Sequence, residues 1–387
     1  MKILFCSQTH LSKTLGGSKV VIELAEELEL LGWKADVVSP ADFPLTQGRD
    51  IYAAYPSNLR RHLSEYAHEY DVIDYDHVYL PYPRTEFRKD TLFVARSVLL
   101  AHHLESIRIP RSRALKSVLR NVITAKREAR KLATAIRQAK ITVAQADLVN
   151  VPNTHDKAEL VKHGIPENKI VVLPFGIDRV RHSLINAISS EPPDQPALVF
   201  VGTFDNRKGA TDFPRIVRDL ARKVTGVRFR LIGTGSSGSR VLSHFDKNLR
   251  DRIEVVPRYE PVDLPGLLAG CSVGVFPSYI EGFPLGVLEM LAASIPVIAY
   301  DSPGPPMMLP AEYLVTAGDS HNLTRKAIAL LRDPVELARA RTWARERSRA
   351  FCWNDIAKRT DRIYRDCLER KRAESQDEAT RSSRRAS

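Results

Sequence analysis

Phe276–Tyr300, FPSYIEGFPLGVLEMLAASIPVIAY, is the stretch on which the reading of this chain turns. The apolar run from Cys271 to Phe276 predicts a buried strand. A turn-prone segment with Gly282, Pro284 and Gly286 follows, then a helical pattern through Leu288, Leu291 and Ala292, then the strand-like IPVIAY from Ile295. Two carboxylates, Glu281 and Glu289, stand eight residues apart. With Gly286 near the helix start, Glu289 falls in the first turn, where exposed backbone N–H groups favour negative charge. Glu281 falls in the loop leading into that helix. Both then face the crevice at the carboxyl ends of the strands, where open α/β sheets bind ligands.

Glu281 and Glu289, set in PSYIEGFPLGVLEMLAASIPVIA, resemble the signature of retaining glycosyltransferases of family 4. The resemblance implies an α/β chain of the glycosyltransferase B fold. Two Rossmann-like domains face a cleft, and a C-terminal helix returns to the first domain. It also implies a nucleoside diphosphate sugar, a UDP- or GDP-sugar, as co-substrate, with no further cofactor and no catalytic metal. Glu289 would accept hydrogen bonds from the donor ribose, and Glu281 would bind the sugar or stabilise charge near its anomeric carbon. Gly282, Phe283, Pro284 and Leu285, between the two carboxylates, are carried over with them as donor-binding positions.

A chain of 387 residues is long enough for two domains, each with its own core. A formal net charge of +12 suits nucleic acid, an anionic membrane or phosphorylated small molecules, and charge alone does not choose among them. Four cysteines without a close pair read as inert thiols in a reducing compartment rather than a zinc site. The start MKILFCSQTH has no signal-peptide pattern and no apolar run approaches a membrane span, so a cytoplasmic protein is expected.

Lys2–Cys6, the polar loop SQTHLSKTLGGSK and the helical VVIELAEELELLG form a β-α opening that places Gly16 and Gly17 at a helix N-terminus. Glycine there lets backbone N–H groups approach an oxygen-rich ligand. The resemblance gives this loop a part in binding donor phosphate or acceptor. Leu92–Ala95 predicts another strand, and the family commonly has a sugar-contacting histidine near the end of such a strand. Here Arg96 holds much of that location and His102 and His103 follow. Either histidine could face the cleft, or Arg96 could serve as a cation for a phosphate or an acidic acceptor.

Residues 108–140 are the most basic segment, with eleven Lys or Arg against one acid, Glu128. Leu115, Val118, Leu119, Val122 and Ile123 give it an apolar side. Such a helix suits an anionic membrane surface at the inner face, a polyanionic acceptor, or an ordinary solvated helix face. Nucleic acid is not expected, because no reading motif accompanies the charge.

The second half carries the nucleotide. Ala197–Gly202 predicts a strand ending on Gly202, and Arg207 and Lys208 lie in the loop beyond it. Two cations there suit a diphosphate, arginine as a fork of donors and lysine as a point charge. The family usually has an arginine directly after the first glycine and a lysine before a second glycine. Lys208 matches the lysine and Thr203 replaces the arginine, which leaves Arg207 to substitute for it. Gly233, Gly235 and Gly238 spell GxGxxG, but in mid-chain and with Glu254 inside a strand pattern. They are read instead as the family's glycine turn below the donor. Arg258 and Tyr259 end a strand near where relatives hold the base. Gly304 is followed by Pro305 and Pro306 where relatives commonly have two glycines, and the prolines remove N–H donors.

These readings assign residues 1–178 to an acceptor-binding domain, 179–196 to a linker, 197–350 to a nucleotide-sugar-binding domain, 351–370 to the returning helix and 371–387 to a disordered tail. The expected activity is sugar transfer to an acceptor hydroxyl with retention, in glycan, polysaccharide or glycolipid synthesis. The acceptor is a glycan, a lipid-linked group or a small molecule. Two alternatives stay open: a sugar-nucleotide epimerase or hydrolase on the same fold, and a non-catalytic nucleotide-binding scaffold.

Overall fold

The structure, a computed structural model, describes residues 1–12, 16–44, 50–110, 118–189, 191 and 193–386, with the backbone alone for 118–125 and 375–386. The chain divides into two compact units. One holds Met1–Ser106, Ser117–Pro174 and Trp353–Ser387, and the other is built on Phe175–Cys352.

In the first unit the elements run β1 (Lys2–Cys6), α1 (Gly16–Leu30), β2 (Lys34–Val38), α2 (Ile51–Tyr66), β3 (Val72–Asp76) and β4 (Leu92–Arg96). They continue with α3 (Val118–Gln145), β5 (Leu148–Val151), α4 (Thr154–Lys162) and β6 (Ile170–Val172). The six strands pair in parallel in the order β2-β1-β3-β4-β5-β6. Leu4, Ile73, Phe93 and Val149 are each fully buried, as expected of strands covered on both faces. The order reverses between β1 and β3, which places a topological switch point at their carboxyl ends.

The second unit runs α5 (Arg179–Asn186), β7 (Ala197–Val201), α6 (Phe213–Lys223), β8 (Arg228–Ile232), α7 (Gly238–Leu242) and β9 (Ile253–Val256). Then come α8 (Leu264–Leu268), β10 (Val273–Phe276), α9 (Leu285–Ala292), β11 (Val297–Asp301), β12 (Leu314–Thr316), α10 (Ser320–Arg332) and α11 (Pro334–Ser348). Its parallel order is β12-β11-β10-β7-β8-β9. The chain winds outward from β7 in one direction and then from β10 in the other. The switch point lies between those two strands, so the loops that leave them part to either side of a crevice.

The last helix, α12 (Trp353–Ala386), belongs to the first unit and packs on α1. Trp353 donates its indole N–H to Glu23 at 2.6 Å, and Trp33 donates to Asp361 at 2.6 Å. The expected pair of Rossmann-like units and the returning helix are therefore present.

Two details differ from the sequence reading. Residues 371–386 are helical rather than disordered, continuing a helix whose anchors include Lys371 on Asp147 at 2.8 Å. The segment expected as a linker from 179 begins with α5, which Asp178 caps by accepting from the Arg181 N–H at 2.9 Å.

Candidate active site

The second unit's switch point brings two loops together. Residues 202–212 leave β7 and residues 277–284 leave β10. Gly209, at φ +82°, lets them touch: a Cβ there would sit 2.3 Å from the Pro277 carbonyl oxygen. No side chain fits that approach. The contact delivers Lys208 Nζ to 2.6 Å from Glu281 Oε1 and Arg207 Nη1 to 3.2 Å from the same oxygen. Ser278 Oγ donates to it as well. One carboxylate oxygen thus collects three donors. The Glu281 side chain is 7% exposed and the Lys208 side chain 13%, so this cluster is largely withdrawn from water.

Burial pushes the Lys208 amine below its ordinary pKa, with Arg207 adding to the effect and Glu281 opposing it. Its ammonium lies 5.0 Å from the centre of the Phe276 ring. Two cations and one carboxylate leave a positive charge uncompensated among these three groups, at a crevice rim. An anion with several oxygens fits that imbalance.

Thr203, in the place where relatives carry arginine, donates to Asp205 at 2.7 Å. The 303–308 loop closes on Glu281 from another side. The Glu281 N–H donates to the Pro303 carbonyl at 3.1 Å, and a Cβ on Gly304 would come within 2.8 Å of Glu281 Cβ. The Met307 N–H donates back to Gly304 at 3.0 Å and the Met308 N–H to Pro305 at 2.9 Å. With two prolines lacking N–H and the next two N–H groups used, residues 305–308 offer no free backbone donor to a phosphate.

Glu289 needs a correction. Helix α9 starts at Leu285, so Glu289 lies in its second turn and the helix N-terminus does not account for it. Gly286 is the second residue of α9, where a Cβ would meet the Val201 carbonyl at 2.4 Å. Glu289 is 4% exposed and has Arg181 Nη1 3.8 Å from Oε1. Arg181, also 4% exposed, contacts Asp178 at 3.2 Å as well. Tyr259 lies over the turn of Gly233 and Gly235, whose φ values are +72° and +64°. Burial and then the Glu289 charge push its hydroxyl pKa up. The same surface therefore holds Gly233, Gly235, Tyr259 and Glu289 near one another, and Arg258 beside them is exposed. Gly202, at the end of β7, packs on the Phe200 ring. Phe283 is not a ligand platform: its ring lies 5.8 Å from that of Phe175 and 5.4 Å from that of Phe351, inside an aromatic cluster. Pro284 is the N-cap residue of α9, and Leu285 is its first residue. Gly282 is buried between Glu281 and that cluster.

In the first unit, Gly16 and Gly17 open α1 as expected. Arg96 is not available to a ligand. It is 3% exposed and donates to both oxygens of Asp74, at 3.0 and 2.6 Å, and to the Tyr364 hydroxyl at 3.1 Å. The reason is its register: Arg96 pairs with Asp76 across β3, which turns its side chain onto the same buried face as Asp74. Burial opposes its charge, and Asp74 more than offsets that. His102 and His103 lie in a short turn, both buried. His103 Nε2 is 2.9 Å from Asp156 Oδ1. Burial pushes His102 down to about 3, with His77, His163 and Lys140 adding to the effect, so it is neutral.

The sequence reading missed His77 and Asp76. The Ala101 N–H donates to His77 Nε2 at 3.1 Å, which puts the proton of the neutral ring on Nδ1. That nitrogen and Asp76 Oδ2 are 3.6 Å apart, and neither has a hydrogen-bond partner among the described residues. Ser278 and Arg181 were missed too. Ser278 stands three residues before Glu281 and was within reach of pattern reading. Arg181 lies over a hundred residues from Glu289, and nothing local signals it.

Among the described residues no three His, Cys, Asp or Glu side chains converge as a metal site would require, and no helix is long and apolar enough to cross a membrane.

Comparison with known proteins adds to this geometry. The family model described as Glycosyltransferase Family 4 matches residues 15–181, and that described as glycosyl transferases group 1 matches residues 195–333. The chain is 24% identical to a phosphatidylinositol N-acetylglucosaminyltransferase component of Arabidopsis thaliana, over 55% of this chain and 48% of that protein. It is 28% identical to the processive diacylglycerol alpha-glucosyltransferase of Acholeplasma laidlawii, over 41% of this chain and 49% of that protein. The chain thus spans about half the length of the curated relatives it matches. Among solved structures, sucrose-phosphate synthase from Thermosynechococcus elongatus superposes with a TM-score of 0.71 at 19% identity, covering 95% of this chain and 99% of the other. That likeness speaks for the fold.

Proposed function

This chain belongs to the family 4 glycosyltransferases, with their glycosyltransferase B fold, and we propose that it transfers a sugar from a nucleoside diphosphate sugar to an acceptor hydroxyl with retention of configuration. The observation that carries the reading is the meeting of Lys208, Arg207 and Ser278 on Glu281 at the switch point of the second sheet. Transfer requires that the departing diphosphate be stabilised, that the sugar be fixed for attack and that water be kept out.

Lys208 and Arg207 take the first task, Arg207 standing in for the arginine that Thr203 replaces. Glu281 holds a sugar hydroxyl once the diphosphate draws the two cations. Glu289, oriented by Arg181, accepts from the ribose, and the Gly233–Gly235 turn with Tyr259 and Arg258 borders the base. In the first unit, His77 Nδ1–H and Asp76 Oδ2 offer one donor and one acceptor side by side, which suits a hydroxyl. His102 and His103 support that edge.

The acceptor belongs to glycan, polysaccharide or glycolipid synthesis. A lipid-linked acceptor is favoured by the two relatives, whose names specify phosphatidylinositol and diacylglycerol, and by α3. There Lys126, Arg127, Arg130, Lys131, Arg137 and Lys140 are exposed beside half-exposed Leu132 and Ile141. The apolar positions read from the sequence, Leu115 through Ile123, lie outside the described side chains. The protein then works at the cytoplasmic face of an anionic membrane, each basic residue near the surface contributing roughly 1 kcal/mol. Sedimentation with phosphatidylglycerol vesicles, reversed by salt and absent with phosphatidylcholine, is the expected result.

Titration calorimetry with UDP, GDP, ADP and dTDP tests the donor site. Selective binding of one nucleotide, weakened roughly 10- to 100-fold by Lys208→Ala and by Glu289→Ala, is expected. A non-catalytic scaffold is the second reading, favoured by Thr203 and by the donor-free backbone at 305–308. Binding of none of the nucleotides puts it ahead. Donor turnover without any acceptor instead identifies an epimerase or hydrolase.

A further inference from the structure

The two loops that meet at Glu281 are tied together by a group that takes no part in the donor site as described. Asp212, at the end of the loop carrying Arg207 and Lys208, accepts through Oδ2 from the Tyr279 hydroxyl at 2.7 Å and from the Tyr300 hydroxyl at 2.7 Å. Tyr279 stands two residues before Glu281, and Tyr300 is on β11, fully buried. The rings meet edge to face with centres 5.3 Å apart. Burial first, and then Asp212, push both hydroxyls above the ordinary tyrosine range, so both stay donors across the working pH range. The same loops are stitched along their backbones, where the Arg207 carbonyl accepts from the Tyr279 N–H at 2.9 Å. The Asp212 N–H donates to the Gly209 carbonyl at 2.9 Å, which fixes the carboxylate relative to the Lys208–Gly209 turn.

We propose that Asp212, through Tyr279 and Tyr300, is a positioning residue that holds Lys208 and Arg207 in register with Glu281. The functional part of this proposal rests on the donor-site reading, and its geometric part does not. A carboxylate shared by two tyrosines bridges three elements: the loop after β7, the loop after β10, and β11. Removing either hydroxyl takes away that element's side-chain tie to Asp212 and leaves the backbone contact alone. Lys208 reaches Glu281 only while the two loops stay in contact, because its ammonium and the Glu281 carboxylate come from opposite sides of that contact. A charged group placed in advance where charge develops assists reaction more than one that must be drawn into place. The bridge therefore acts chiefly on turnover and little on donor affinity.

The test uses the full chain carrying Tyr279→Phe and Tyr300→Phe together, which keeps both rings. The first readout needs no substrate: the rate at which acetic anhydride acylates Lys208, followed by mass spectrometry, with exposed Lys223 as the internal reference. Lys208 is expected to label at least fivefold faster in the variant while Lys223 is unchanged, and equal rates at Lys208 overturn the proposal. The second readout is the split of kcat and KM for the nucleotide sugar identified by calorimetry. A kcat lower by roughly 10- to 100-fold with KM within about threefold is expected, and unchanged kcat, or kcat and nucleotide affinity lost in parallel, overturns the positioning role. Should the double variant fail to fold, Tyr279→Phe alone is read the same way. If the wild-type protein binds no nucleotide, the donor-site reading falls while the Lys208 labelling still decides whether the bridge holds the two loops.

Discussion

The carboxyl edges of the two sheets make opposite use of similar residues. In the first unit two of the candidate side chains each have a carboxylate of their own: Arg96 is closed onto Asp74, and His103 onto Asp156. In the second unit two cations share one oxygen of Glu281. A closed pair satisfies the core and asks for nothing more. A shared carboxylate leaves charge to spare, and on the proposed reading that surplus is what the donor diphosphate meets. The difference teaches that a charged residue at a strand end is a candidate only until its partners are counted.

Breaking the closed pair gives the largest expected effect. Among the described residues, Arg96→Ala leaves Asp74 buried with only the Tyr364 hydroxyl as a side-chain donor, and loss of one partner from a buried pair costs about 3–5 kcal/mol. Urea unfolding should show that loss, and nucleoside diphosphate affinity measured on the folded fraction should match wild type. An unchanged stability would mean that the pair is no tighter than a surface bridge. Lys208→Ala is the counterpart in the second unit. Beyond the loss of nucleotide affinity expected above, its cost falls on turnover, about 10²–10³-fold in kcat or ~2.7–4 kcal/mol, with unfolding shifted far less than in Arg96→Ala. If the two variants exchanged these profiles, the contrast between the edges would be lost.

Much of the second edge was legible in the sequence because its determinants are local. Glu281, Glu289, Lys208 and Gly209 stand in short patterns whose spacing reflects one strand, one turn and one helix. The switch-point placement followed from that succession. What was not legible depends on partners distant in the chain. Arg96 could not be removed from the candidates without the pairing of β3 with β4 that sets Asp74 against it, and Arg181 could not be added without Glu289. The Glu289 error had a local origin. Gly286 does stand near the helix start, as the second residue of α9, but the helix opens at Leu285 and so carries Glu289 just past the first turn.

A smaller effect separates the edges by pH. His102 is buried in the first unit, facing His77, His163, Lys140 and Glu105, and its pKa is pushed down to about 3. The unfolded chain binds a proton near the ordinary histidine value of about 6.5, whereas the folded chain does not until about 3. Stability contributed by the neutral ring is therefore complete above about 6.5 and lost as pH falls toward 3, by up to ~1.4 kcal/mol per unit. His102→Gln should flatten this limb of the stability profile. An unchanged acid limb would place the responsible proton elsewhere.

The finest test of the shared carboxylate is Glu281→Gln. In the ligand-free protein Glu281 engages both cations assigned to the diphosphate and offsets one of their two charges, so it competes with the nucleotide for them. It becomes useful only when a sugar occupies the place beside it. Glutamine keeps the shape and an acceptor but removes the charge, so a nucleoside diphosphate without sugar should bind tighter, by about 1 kcal/mol or roughly fivefold. Turnover of the sugar donor should fall in the same variant, because the carboxylate no longer holds the sugar or meets the charge at its reacting carbon. These two changes have opposite signs, which simple damage to the site cannot produce. Weaker binding of the bare nucleotide would show instead that Glu281 fixes Lys208 and Arg207 for the diphosphate, and the surplus charge would then be a property of the resting site alone.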